Sequence, residues 1–156
     1  MDRLCLFTFL AFFLVSVNLV YGQTMMGSLV DESCIGCICE AASLCNLTAG
    51  CMDDMCGLFR ITWPFWADAG KPVLPMDSPS TPDAWKRCVT DPFCAATTVR
   101  NYLTRFSQDC NRDGRVDCYD YAAIHHKGGY GCDRQPWDGL FETRFRQCTR
   151  SLNILF

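Results

Sequence analysis

Six of the thirteen cysteines fall within the 23 residues from Cys34 to Cys56, CIGCICEAASLCNLTAGCMDDMC. A segment this short has no use for six buried free thiols, but it can cross-link itself and its neighbours. The segment reads as a helix, a turn and a strand stapled together, with the rest of the chain folding around them. The other cysteines are Cys5, Cys88, Cys94, Cys110, Cys118, Cys132 and Cys148.

Cys5 lies in a separate segment. Arg3 gives a positive start, Leu4 to Val15 is almost wholly apolar, and Val20-Tyr21-Gly22 ends on a small residue. Residues 1–22 therefore read as a secretory signal peptide cleaved before Gln23, the alternative being a membrane anchor. The apolar run is short for a span, so the mature protein is expected to have none. Twelve cysteines remain: Cys34, Cys37, Cys39, Cys45, Cys51, Cys56, Cys88, Cys94, Cys110, Cys118, Cys132 and Cys148. An even count in a secreted chain reads as a disulfide framework of six bridges whose pairing stays open. The rival is zinc at Cys34-x-x-Cys37, but no second Cys-x-x-Cys follows.

The 156 residues fit one domain, and the net charge of −3 comes without a basic stripe, so nucleic acid is not an expected partner. Residues 23–33 read as a loose lead-in, 34–148 as the domain and 149–156 as a weakly ordered tail. Ile35, Ile38, Ala42 and Cys45 recur at helical spacing, with Ser33 or Asp31 as cap. Asn46-Leu47-Thr48 is a glycosylation acceptor where that helix should end. Leu58 to Thr62 is β-inclined after Gly57. From Trp63 the chain is aromatic, then rich in Pro and Ser, predicting a packed start and a surface loop. Thr81-Pro82-Asp83 and Asp91-Pro92 each signal a helix start, the second helix running to about Phe106. A further helix is predicted from Asp120 to about His126, ended by Gly128-Gly129. A last one opens at Pro136, with Leu140, Phe141, Phe145 and Cys148 at core spacing. The expected fold is a small, mainly helical, disulfide-rich α+β domain with one short β-sheet, monomeric.

The motifs carry a family resemblance. Cys34, Cys37 and Cys39 form a Cys-x-x-Cys-x-Cys helix, Gly50-Cys51 follows, and Cys56, Gly57, Phe59 and Ile61 form Cys-Gly-x-Phe-x-Ile. Trp66, Gly70-Lys71-Pro72, Trp85, Cys88, Cys94 and the run Gly128 to Cys132 extend the match. This pattern resembles the invertebrate-type, or destabilase-like, lysozymes. The resemblance implies a lysozyme-like fold, no required cofactor, and hydrolysis of β-1,4 bonds in peptidoglycan.

Such a glycosidase needs two carboxyls, one protonated to give its proton to the leaving oxygen, the other ionised. The resemblance places the proton donor three residues after Cys39 and before a Ser. Here that position is Ala42, followed by Ser43. Glu40 cannot stand in for it, because two residues along a helix are about 200° of rotation. The second carboxylate should follow Gly50-Cys51, where Asp53 and Asp54 are the candidates, but the four residues between Cys51 and Cys56 make a short loop and neither can be assigned. The isopeptidase dyad of some members is missing too: its loop Ser has no counterpart and its strand-end Lys position is Thr62. His125 and His126, about 100° apart on a helix, offer no replacement.

Three functions follow: a weak muramidase, a glycan-binding or immune-recognition protein that has lost the chemistry, and a structural cysteine-rich protein. A cleft lined by Trp63, Phe65 or Trp66 would separate the second from the third. The acidic charge does not steer the protein to anionic bacterial walls. One metal site is expected beyond the family pattern. In DCNRDGRVDCYD, residues 109–120, Asp109, Asn111, Asp113, Arg115 (through its carbonyl), Asp117 and Asp120 fall at positions 1, 3, 5, 7, 9 and 12 of a calcium loop, with Gly114 at the sharp turn. The alternative is an Asp- and Asn-rich turn that binds nothing.

Overall fold

A computed structural model describes residues 30–134 and 139–154, so the segment expected to be a signal peptide, and Pro136, lie outside the described residues. Helix α1 (Glu32–Ser43) is the centre of the fold. Its Cys34, Ile35, Cys37, Ile38, Cys39 and Ala41 are all buried, and it ends where Leu44 turns left-handed at φ 58°. Asp31, one of the two caps suggested by the sequence, stands at its N-terminus. Val30 is buried in the core, and Glu32 pairs with Arg100 at 2.5 Å. Residues 30–33 are therefore part of the domain rather than lead-in.

The sheet is three antiparallel two-residue strands in the order β1 (Cys51–Met52), β2 (Met55–Cys56), β3 (Ile61–Thr62). Met52 faces Met55 in one ladder, and Met55 faces Thr62 in the next. The strand expected over 58–62 shortens to its last two residues because the Arg60 N–H closes a turn on the Gly57 carbonyl at 3.1 Å. Gly57 sits at φ 72°, and a Cβ there would lie 1.8 Å from the Val89 carbonyl oxygen. Only glycine meets both conditions.

Helix α2 (Trp63–Asp68) follows with no linker, where the sequence reading had only a packed aromatic start. Thr62 Oγ1 accepts from the Phe65 N–H at 3.4 Å, and proline lies in the first turn. The cap expected at Thr81 is not formed: the next helix begins at Ala84, behind Asp83 at φ 58° with no side-chain cap. Trp66 is buried and donates its indole N–H to the Pro72 carbonyl at 2.7 Å, which draws the loop back to the core. The residues from Ser78 to Pro82 are exposed, as the composition required.

Helices α3 (Ala84–Thr90), α4 (Pro92–Arg105), α5 (Cys118–Lys127) and α6 (Gly139–Ser151) complete the chain. Asp91 caps α4 by accepting from Phe93 and Cys94, and α4 buries Ala95, Val99, Tyr102 and Leu103 along one face. On α6, Phe141 and Phe145 are buried, but Leu140 is 60% exposed and is not a core residue. Nor does order end at Cys148: Thr149 is buried, and Ile154 packs against the core.

All twelve cysteines pair. Cys34–Cys118 and Cys37–Cys148 tie α1 to α5 and α6 across 84 and 111 residues of sequence. Cys39–Cys45, Cys51–Cys56 and Cys88–Cys94 close short local loops, and Cys110–Cys132 spans 22 residues. Cys34 and Cys37 go to different partners, which overturns the zinc alternative. A bridge closing a loop of about 100 residues removes roughly 5 kcal/mol of unfolded-state freedom in the chain-entropy model, one closing five residues about 2. The long bridges thus hold α1, α5 and α6 as one body.

Candidate functional site

Among the described residues, a cleft of about 590 Å³ lies between the helical body and the hairpin. Ala41 and Ala42 of α1, His125, His126 and Gly128 of α5 and its C-cap, and Leu140, Phe141 and Arg144 of α6 line the helical side. Met52, Met55, Arg60 and Thr62 line the hairpin side, with Pro64, Phe65 and Asp68 of α2 and Tyr102 of α4 between. Ser43 Oγ donates to the Leu58 carbonyl at 2.6 Å and pins the end of α1 to the hairpin.

The two positions singled out by family resemblance, Ala42 and Thr62, meet in this cleft from opposite sides. Asp53 and Asp54 do not line it. They sit exposed at the tip of the β1–β2 hairpin, Asp53 at φ 55°. Glu40 faces a smaller hollow with Gly36, Leu44 and Gln147, as the helix rotation required. The cleft's own carboxylate is Asp68, alone among the described lining residues and missed by the sequence reading. Its carboxylate lies 3.9 Å from Arg105, whose guanidinium also donates to the Asp68 carbonyl at 2.6 Å. No Cys or Gly motif marks Asp68. Only the undetected helix α2 would have aimed it.

Aromatic surface is present. Phe65 stacks on Tyr102 with centroids 3.7 Å apart. Trp66 is in the core, and Trp63 is half-exposed beneath Lys71, outside the lining. Of the three aromatics expected to mark a sugar cleft, Phe65 does so.

The two histidines also reach the cleft, which their 100° separation had argued against. Phe141 explains it: the ring stacks on His126 at 4.4 Å and runs parallel to His125 at 6.1 Å, so α6 gathers both. His125 lies edge-on to the Phe59 ring with centroids 6.4 Å apart, and its Nδ1 is buried with no partner among the described residues. Burial, and then the neighbouring His126 charge, push the His125 imidazole down to about 4, against the pull of the Phe59 backbone. It is neutral near pH 7 and cannot serve there as a proton donor.

The acidic loop is folded by its own backbone. Asp109 accepts from the N–H groups of Arg112, Asp113 and Gly114, and Asp113 accepts from Arg115 N–H and Asn111 Nδ2. Asp117 and Asp120 form a reciprocal capping box at the start of α5. Asp120 is fully buried and accepts from Cys110, Asn111 and Asp117 N–H. Burial raises its pKa above the usual carboxylate value, against the pull of those bonds. Asp120, position 12 of the loop, is thus buried at the start of α5. Among the described residues no group of three or more His, Cys, Asp or Glu side chains could hold a metal. Asn46 is exposed in the turn after α1, its Oδ1 accepting from Thr48 N–H and Oγ1. Among the described residues no helix is long and apolar enough to cross a membrane.

Comparison with known proteins gives a consistent family. The Destabilase family model matches residues 31–148. Invertebrate-type lysozyme 3 of Caenorhabditis elegans is 33% identical over 125 residues, covering 75% of this chain and 88% of the relative. A lysozyme of Magallana gigas is 34% identical, covering 72% and 76%. Among solved structures, a Meretrix lusoria lysozyme in complex with Aeromonas hydrophila PliI superposes with TM-score 0.58 at 27% identity, covering 81% of this chain and 93% of that one. The Tapes japonica lysozyme gives 0.57 at 25%, covering 80% and 92%. A Cys-rich α1 stapled to α5 and α6, a short three-stranded sheet, and a cleft between them make this chain a member of the destabilase family, the invertebrate-type lysozymes.

Proposed function

We propose that the protein is a secreted lysozyme-like protein that holds peptidoglycan strands in the cleft between α1 and the hairpin and hydrolyses them slowly or not at all. The observation that carries this is the cleft's charge: Asp68 is the single carboxylate among its described lining residues, while Ala42 stands on α1 where the resemblance puts the proton donor. Two carboxyls are needed to protonate the leaving oxygen and to stabilise the developing cation. Loss of a general acid costs about 10²–10⁴-fold in rate. Phe65 and Tyr102 leave an apolar surface suited to sugar rings, which favours glycan binding over a purely structural role. The relatives' lysozyme names support the substrate, and the six-bridge framework supports an oxidising, extracellular setting. Asn46 is the proposed glycan attachment point.

The test pairs lysis with binding. Wild type should sediment with insoluble peptidoglycan yet clear a cell-wall suspension far more slowly than a relative with both carboxyls. Ala42→Glu should raise lysis, with Asp68 as the nearest available partner. Fast wild-type lysis that persists in Glu40→Gln, Asp53→Asn, Asp54→Asn and Asp68→Asn would overturn this account of the site.

A further inference from the structure

The hairpin wall of the cleft carries two thioethers. Met52 of β1 and Met55 of β2 are cross-strand partners, so their side chains leave the same face of the hairpin. That face is the cleft: both residues line it, as Leu140 and Phe141 of α6 do on the helical side. Both are open to solvent, Met52 at 55% exposure and Met55 at 38%. Methionine ordinarily fills gaps in a core. Here the described methionines are Met52, Met55 and Met76, and none belongs to the core. Met76 is fully exposed in the surface loop and does not line the cleft. The described cysteines offer an oxidant no thiol, because all are bridged. The oxidisable sulfurs of the described residues are therefore exposed thioethers, and two of the three stand side by side on one wall of the cleft.

We propose that Met52 and Met55 form an oxidation site, with hydrogen peroxide as the oxidant, that lowers the cleft's affinity for glycan. The inference rests on the glycan-binding reading above and concerns the regulation of that same cleft. In the reaction a sulfur lone pair attacks one peroxide oxygen and the O–O bond breaks. The departing hydroxide takes up the proton of the transferred oxygen, leaving methionine sulfoxide and water. The sulfur is oxidised by two electrons and the peroxide is reduced. Susceptibility follows exposure, and the product is polar and chiral where the thioether was apolar and flexible. Cross-strand neighbours lie about 5 Å apart, so two new S=O dipoles crowd each other on a hairpin closed by Cys51–Cys56. Met55 also pairs with Thr62 of β3, so a shift at Met55 reaches a second residue of the lining. Sugar rings that pack on thioethers before oxidation meet a hydrated polar wall after it.

The test is limited peroxide treatment of the intact protein, followed by peptide mapping, melting curves and calorimetric titration with soluble peptidoglycan fragments. Met52, Met55 and Met76 should each gain one oxygen, and affinity should fall about fivefold with the fold retained. Met76→Leu should bind as wild type does before treatment and lose the same affinity after it. In Met52→Leu with Met55→Leu, treated and untreated protein should bind alike, whatever the starting affinity. Sulfoxides at both cleft positions with unchanged binding would overturn the inference and leave the glycan-binding reading intact. So would a loss that persists in the double variant, a loss that tracks unfolding in the melting curves, or oxidation of Met76 alone. Untreated wild type that binds no fragment and does not sediment with insoluble peptidoglycan would overturn the glycan-binding reading and this inference with it.

Discussion

The two sides of the cleft are built by different means. The helical side is α1, α5 and α6, buried along their contacts and joined by bridges spanning 84 and 111 residues. The hairpin side is six strand residues around a tip where Met52, Asp53, Asp54 and Met55 are all exposed, closed by a bridge spanning five. The helical side is fixed by covalent bonds between distant parts of the chain. The hairpin is fixed locally, and docks through Gly57 against α3 and Ser43 against Leu58. The side held by the long bridges carries Ala42 on its cleft face, so no carboxyl from α1 is needed to build that framework.

The sharpest way to break this comparison is to cut one bridge on each side. Cys37→Ala with Cys148→Ala should lower unfolding free energy by about 5 kcal/mol, and Cys51→Ala with Cys56→Ala by about 2, read from denaturant midpoints. Equal losses would mean that the hairpin is not a locally stabilised unit.

The seam between the sides is next. His125 on α5 meets the Phe59 ring edge-on at 6.4 Å, and burial holds its pKa at about 4 against an ordinary 6.5. The unfolded chain therefore takes up the proton first on acidification. The stability contributed by neutral His125 is complete above about pH 6.5 and is lost as pH falls toward 4, on the order of 3 kcal/mol in all. Melting curves between pH 7 and 4 should show that slope, and His125→Gln should flatten it. An unchanged slope in the variant would place the acid sensitivity elsewhere.

At the entry to α5, Asp120→Ala strands three backbone N–H groups and removes half of the capping box. A loss of about 1–3 kcal/mol is expected. A loss below a few tenths would show that water replaces the carboxylate freely.

The smallest effect concerns calcium. With Asp120 turned inward, millimolar calcium should leave the melting temperature of wild type and Asp113→Ala alike. A rise of several degrees in wild type that Asp113→Ala abolishes would restore a cation to the 109–120 loop.

Much of this molecule is local information. The Asp91-Pro92 cap, the α4 face through Tyr102, the exposed proline loop and the rotation of Glu40 away from Ala42 follow from spacing and backbone chemistry within a few residues. So did the identity of the twelve paired cysteines, because an even count in an oxidising setting leaves few other uses. Helix α2 is equally local, with Thr62 as its cap and proline in its first turn.

Other features were set only by distant contacts. Which cysteines pair depends on which helices meet, and Cys37 finds Cys148 only once α6 lies on α1. Asp120 belongs to an acidic run in sequence, and its burial within the capping box depends on how α5 packs at that turn. His125 and His126 point apart on α5, yet Phe141 from another helix brings both to one cleft. Sequence fixed the absence of a carboxyl at residue 42. Only the tertiary fold put that alanine in a cleft with Arg60, Arg144 and Asp68, because side chains far apart in the chain share an electrostatic environment only after the long bridges close.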